Sequence, residues 1–196
     1  MNNPADIVTI LCAEFDDKYK PLTRAEFWMI YHRCGDSVEA VAENPDERIV
    51  ELMERQGAIA FGIEKLEQMG VKILTFVDED FPSPLRDKLG DFCPPLLYCC
   101  GNPDILQQKF VGYVGSRSIG EEDVNWTKQR LKHNLEDGFG IVTGGAKRID
   151  IVATQYALGR SSPVAVFLPN SLKENLKDSF IRKHIYDEDL MLMSHV

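Results

Sequence analysis

Val114-Gly115-Ser116-Arg117-Ser118-Ile119-Gly120 and Thr143-Gly144-Gly145-Ala146-Lys147-Arg148 decide the fold. Each leaves a short apolar run, Phe110 to Val114 in the first case and Phe139 to Thr143 in the second. Each leads into a segment of helical period: Glu121 to Asp137, with Val124, Leu131 and Leu135 inward, and Ile149 to Leu158, with Ile149, Val152, Ala153, Tyr156 and Ala157 on one face. A buried strand, a turn of small residues and a helix, repeated, is the signature of βα units. The alternation continues through a strand at Val164 to Leu168, a helix at Leu172 to His184 built on Leu172, Leu176 and Phe180, and a strand at Leu190 to Met193. Such a pattern needs crossover connections, so it predicts an α/β fold, a parallel sheet flanked by helices and wound right-handed.

Toward the N-terminus, Val71 to Val77 and Leu96 to Cys100 are further strand candidates, separated by an irregular, proline-bearing stretch from Asp78 to Pro95. Before residue 70 the period is helical throughout. Ile7, Val8, Leu11 and Phe15 share a face; Thr23 with Glu26 forms a capping box ahead of Phe27, Trp28, Tyr31 and Cys34, and Gly35 stops that helix. Asn44-Pro45 with Glu47 predicts another start, leading to Ile49, Val50, Leu52 and Met53, and a last helix carries Ile59, Ile63, Leu66 and Met69 to Gly70. The expected organisation is a small all-helical domain over 1–70 and a sheet domain over 71–196.

Composition narrows the function. With 196 residues, 44% of them hydrophobic and 27% charged, the chain can bury a core without a metal or disulfide staple. No apolar run reaches the roughly 18 residues of a membrane span, and Met1 to Asp6 lacks the basic and apolar regions of a signal peptide, so a cytoplasmic protein is expected. The five cysteines (Cys12, Cys34, Cys93, Cys99, Cys100) form no CxxC pair, which predicts reduced thiols, with Cys99 and Cys100 as packing residues and no metal site. A net charge of −9 argues against coating a nucleic acid by bulk electrostatics. The charge is uneven, however. Asp36 to Arg55 is strongly acidic, whereas residues 141–183 carry seven cations (Lys147, Arg148, Arg160, Lys173, Lys177, Arg182, Lys183) against Asp150, Glu174 and Asp178. A polyanion would have to bind a local patch.

In an open parallel sheet, ligands bind beyond the carboxyl ends of the strands, which are the βα turns quoted above. Both turns place small residues where a backbone can approach a ligand, with a helix N-terminus behind and a cation, Arg117 or Lys147, just after the glycine. Glycine serves tight turns for geometric reasons alone, but two turns each carrying a cation suit a phosphate cradle, and on adjacent strands they would grip two phosphates or a phosphodiester backbone. Neither is a GxxxxGK[ST] loop or a GxGxxG fingerprint, so ATP hydrolysis and dinucleotide chemistry lack support, and no cofactor is called for. Catalytic groups are few. Ser116 and Ser118 have no nearby histidine in sequence, and His32, His133, His184 and His195 show no triad or metal spacing. Asp150 either complements the dipole of its helix or orders the loop before it.

The runs Asp78 to Leu85, Pro94-Pro95-Leu96-Leu97-Tyr98 with Gly101-Asn102, Val114-Gly115-Ser116-Arg117, and Thr143 to Asp150 with Ala153 and Ala157-Leu158 resemble, in order and spacing, the DNA-processing protein A family, also called Smf. The resemblance is clear over roughly 70–194. It implies a Rossmann-like domain without dinucleotide chemistry, preceded by a small sterile-alpha-motif-like helical domain. It implies a cytoplasmic binding protein, not an enzyme, that holds single-stranded DNA and hands it to a RecA-type recombinase in natural transformation, as a homodimer. Carried over by match, Gly115, Ser116, Arg117, Gly144, Gly145, Ala146 and Lys147 would line the DNA-backbone pocket, with Arg148 beside them. There are departures. Arg148 stands where the family has glycine, Thr154 where it has histidine, Pro169-Asn170-Ser171 where it has a glycine and a Tyr-Pro pair, and the family's Arg-Asn-Arg segment and further strands are absent, which makes the domain C-terminally incomplete against the family pattern. A nucleotide-binding sensor or phosphoribohydrolase, with Asp150 or Glu121 poised over a ribose, is the alternative, and a partner-binding scaffold a third.

Overall fold

The computed structural model describes residues 3–15, 19–116 and 118–196, and Arg117 therefore lies outside the described residues. The chain forms two compact units, Met1–Tyr98 and Cys99–Val196. Among the described residues no helix is long and apolar enough to cross a membrane.

The first unit begins with helices whose ends are written in side chains. In α1 (Pro4–Cys12) the Asn3 side chain accepts from the Asp6 amide and the Asp6 carboxylate from the Asn3 amide, with Pro4 at the first helical position. The Thr23 and Glu26 box starts α2 (Arg24–Arg33) in the same way. Ser37 caps α3 (Val38–Ala42), and α4 (Glu47–Glu54) and α5 (Gln56–Gln68) complete the helical set. The start expected at Asn44-Pro45 falls at Asp46 instead, because Asp46 caps the Arg48 amide while Asn44 accepts from the Asp46 amide, so both polar side chains serve the turn before the helix. Val8, Leu11, Phe27, Val41, Ile49 and Leu52 fill the interior. Arg55, only 2% exposed, donates from Nε and Nη2 to the carbonyls of Ile10 and Ala13 and so fastens the end of α1. Then come β1 (Val71–Thr75), α6 (Ser83–Leu89) inside the stretch expected to be irregular, and β2 (Leu96–Gly101), which lies beside β1.

The second unit holds the end of β2, then β3 (Phe110–Tyr113), α7 (Glu121–Glu136), β4 (Gly140–Thr143), α8 (Ile149–Leu158), β5 (Val164–Leu168), α9 (Leu172–Asn175), α10 (Ser179–Tyr186) and β6 (Leu190–Ser194). In space the strands run β6-β5-β4-β3, all parallel, in the register Tyr113–Thr143–Val166–Leu192. The parallel α/β architecture expected from the sequence is present. β5 and β6 are buried almost throughout, whereas β3 is the half-exposed outer strand, so the β3–β4 side of the sheet is the accessible one. One expectation is corrected here. The helix drawn through Leu172 to His184 is two helices, broken because the Asp178 side chain caps the Phe180 amide and Arg182 takes the released carbonyls of Leu176 and Lys177. Cys99 and Cys100 are both buried.

On the first unit, His32 is held between two carboxylates, with Nδ1 2.6 Å from Asp36 and Nε2 3.0 Å from Asp91. The hydrogen bond to Asp91, then that to Asp36, raises its pKa above the usual 6.5, since only the imidazolium donates at both nitrogens. A raised folded-state value stabilises the fold below the unfolded pKa and stops doing so as the pH climbs through the folded one. The melting temperature of His32→Ala should therefore fall below the parent's at about pH 6 and converge on it near about pH 9, as thermal unfolding at the two values will read.

Candidate functional site

Parallel neighbours put both glycine turns on one edge. Because Tyr113 pairs with Thr143, the segments 114–120 and 144–148 leave β3 and β4 side by side at their carboxyl ends. The two turns are also keyed to each other. A Cβ on Gly115 would come within 2.6 Å of the Ile149 side chain at the start of α8, so the first turn sits against α8 only because it lacks a side chain there. Gly145, at φ +66°, is the other constrained glycine: a Cβ would lie 2.6 Å from Leu168 on β5.

The second turn is organised from inside by Asp150. Its Oδ2 accepts from the Gly144 amide at 3.0 Å and the Ala146 amide at 3.2 Å, while the Thr143 hydroxyl accepts from the Gly145 amide at 3.3 Å and lies 3.4 Å from the Thr154 hydroxyl. Asp150 is 3% exposed. Of its two possible roles, ordering the loop is thus directly visible, and a carboxylate engaged in that way is not a group poised over a ribose. The three amides that a phosphate would have met are already satisfied. What faces outward is charge. The side chains of Lys147 and Arg148 are exposed and have no hydrogen-bond or ion-pair partner among the described residues, while the Arg148 carbonyl accepts from the Val152 amide, and the first amides of α8 have no side-chain cap. Several other cations of the second unit are engaged: Lys177 pairs with Glu174, Lys183 with Asp187, and Arg160 donates to the Tyr156 carbonyl.

Arg148 adopts φ +74° and ψ −105°, a conformation natural to glycine and strained for any other residue. In the first turn Ser116 is exposed, and its hydroxyl donates to the Ser118 carbonyl and accepts from the Ser118 amide, which occupies it in shaping the turn. The structure thus brings Gly115, Ser116, Gly144, Gly145, Ala146, Lys147 and Arg148 to one edge, while Arg117 is outside the described residues. An exposed Trp126 on α7 is a residue that the motifs do not point to, although the period that turns Val124 and Leu131 inward leaves position 126 on a flank.

The sequence model of the family described as DNA recombination-mediator protein A matches residues 72–194. Among solved structures, DNA processing protein A (DprA) from Streptococcus pneumoniae is similar at 19% identity and a TM-score of 0.71, over 100% of this chain and 68% of that one. DNA processing protein A from Helicobacter pylori, described for its single-stranded DNA binding mode, is similar at 24% identity and a TM-score of 0.49, over 64% of this chain and 55% of that one. No curated protein matches the chain.

Two substitutions separate the structural from the electrostatic roles in this turn. Asp150→Ala leaves two part-buried amides without an acceptor and should cost about 1–3 kcal/mol of stability in denaturant unfolding. Arg148→Gly removes the backbone strain and should stabilise by about 1 kcal/mol, raising the melting temperature by a few degrees.

Proposed function

The chain belongs to the DNA recombination-mediator protein A family, and we propose that it binds single-stranded DNA through the phosphate backbone at the edge where the β3 and β4 turns open. One observation carries this: the side chains of Lys147 and Arg148 stand exposed and without a partner among the described residues, on a turn that Asp150 holds from beneath. A guanidinium and an ammonium presented on adjacent residues suit successive phosphates, and a preformed loop loses little entropy when it binds. Arg117, by its sequence position in the neighbouring turn, supplies a third cation. Contact to the strand is then made by side-chain charge rather than by a nest of amides, because Asp150 and Thr143 hold those amides. The role is that of a cytoplasmic binding protein, without catalysis or cofactor, that delivers a single strand to a RecA-type recombinase during DNA uptake and natural transformation, as a homodimer. Membership of the family supports the DNA-processing part of this role; the recombinase, the dimer and the cellular setting are the family's traits extended to this chain.

Fluorescence anisotropy of a labelled oligothymidine strand tests the interface. The parent should bind at low salt and weaken as salt rises, with a logarithmic slope of about −0.7 for each phosphate engaged. Lys147→Glu combined with Arg148→Glu should reduce affinity by more than about tenfold and flatten that slope, and Arg117→Glu should add to the loss. A folded parent that fails to bind at low salt, or a charge-reversed variant that binds as well as the parent, would overturn the proposal.

A further inference from the structure

Trp126 is 61% exposed, in contrast to Trp28, which is 7% exposed in the first unit. An indole left in water on a helix has no reason in the packing of this unit, since Thr127 and Leu131 are the residues α7 buries. Its position relative to the glycine turns follows from the helix itself. Trp126, Arg130 and Asn134 recur at intervals of four and therefore share a flank of α7. That flank is anchored to β3, because the Asn134 amide donates to the Tyr113 hydroxyl at 2.7 Å and Arg130 acts on the same hydroxyl electrostatically. Tyr113 is the last residue of β3. Trp126 lies eight residues nearer the start of α7 than Asn134, which is about 12 Å of helical rise, toward the carboxyl edge at which α7 begins. The indole therefore stands beside the edge where both turns open.

The charges around it differ from those on the second turn. Glu121, Glu122 and Asp123 form the first turn of α7, and Asp123 caps the Gly120 amide. Carboxylates repel a phosphate backbone, so this flank is unsuited to phosphates. It suits bases: the Arg130 guanidinium lies 5.4 Å from the centre of the indole ring, so a planar cation and a π-face are already paired there. Other exposed aromatic side chains lack this setting. Tyr186, the most exposed aromatic of the second unit at 87%, ends α10 just before β6 begins, at the opposite edge of the sheet.

We propose that Trp126 is a base-stacking platform, on which an unpaired nucleobase of the bound strand lies while Lys147 and Arg148 hold its phosphates. This rests on the single-strand proposal and names the side of the strand that proposal leaves open. Base stacking on an exposed aromatic is tolerant of sequence and needs no hydrogen-bond code.

The test compares oligothymidine with a strand of equal length in which abasic sites replace the bases, using the full chain and its Trp126→Ala and Trp126→Phe variants. Trp126→Ala should weaken oligothymidine binding about tenfold at unchanged salt slope, leave abasic binding at the parent level, and be largely rescued by Trp126→Phe. Unlabelled oligothymidine should quench tryptophan fluorescence in the parent and not in Trp126→Phe, where only the buried Trp28 remains. Circular dichroism of the variants confirms that they are folded. If the parent binds neither strand, both proposals fall. If the parent binds oligothymidine and folded Trp126→Ala binds it equally, or loses both strands alike, stacking alone is overturned; so it is if light scattering shows a changed oligomeric mass with unaltered DNA binding.

Discussion

The Asp150 carboxylate, accepting hydrogen bonds from the amides of Gly144 and Ala146, is the constraint on which the candidate site depends. A turn with two successive glycines has the greatest backbone freedom of any segment, and ordering it opposes folding by about 1–2 kcal/mol per residue. A buried acceptor at the second position of α8 offsets that cost, and its negative charge sits where the helix presents its positive end. The same arrangement fixes what the turn offers to solvent. With the amides turned inward to Asp150 and Thr143, the outward surface is the pair of side chains that follow, Lys147 and Arg148. A phosphate loop recognises its ligand with backbone donors; this turn has used its donors on itself and presents exposed cations.

Arg148 shows how closely charge and backbone are linked here. Its φ of +74° is what glycine adopts freely. The chain keeps the backbone path while placing a guanidinium on it. Strain of this kind persists only where surrounding structure fixes the conformation, and the neighbours that do so are identifiable: Ile149, wedged beneath Gly115, and Asp150, bonded back to the loop. The strained residue and the exposed cation are one and the same.

The parallel sheet was legible in the sequence because the period switches cleanly from 3.6 to continuous apolar runs, and Ile149–Leu158 and Val164–Leu168 coincide with the elements the pattern predicts. Local competition between side chain and backbone was harder to read. Asp178 sits within an apolar helical pattern yet interrupts it by capping Phe180, and Asp46 displaces the start that Asn44-Pro45 suggests. Both are cases where periodicity describes which face is buried but not where the hydrogen-bond ladder breaks. The candidate site divides in the same way. Small residues and cations after two strands were visible as a motif, whereas the direction of the amides depends on Asp150 reaching back four and six residues, which spacing alone does not choose over a simple dipole contact. Trp126 belongs to no motif, and its exposure is a property of the flank of α7 on which it falls.

An acidic protein that holds a polyanion must do so with few contacts. Within 141–183 the side chains of Lys177 and Lys183 are in ion pairs and those of Arg160 and Arg182 are bonded to backbone carbonyls. The unengaged charge on the second turn, Lys147 and Arg148, is too small a patch for electrostatics to hold a strand firmly against a net charge of −9. The remainder of the affinity has to come from contacts that salt does not screen, and an exposed indole is the side chain best suited to supply it. A duplex keeps its bases stacked inside and offers such a platform nothing, while a single strand offers a π-face at every nucleotide. In the proposed binding mode, preference for the single strand would follow from the division of labour between the two flanks of the edge: phosphates toward the cations of the β4 turn, bases toward the indole on α7.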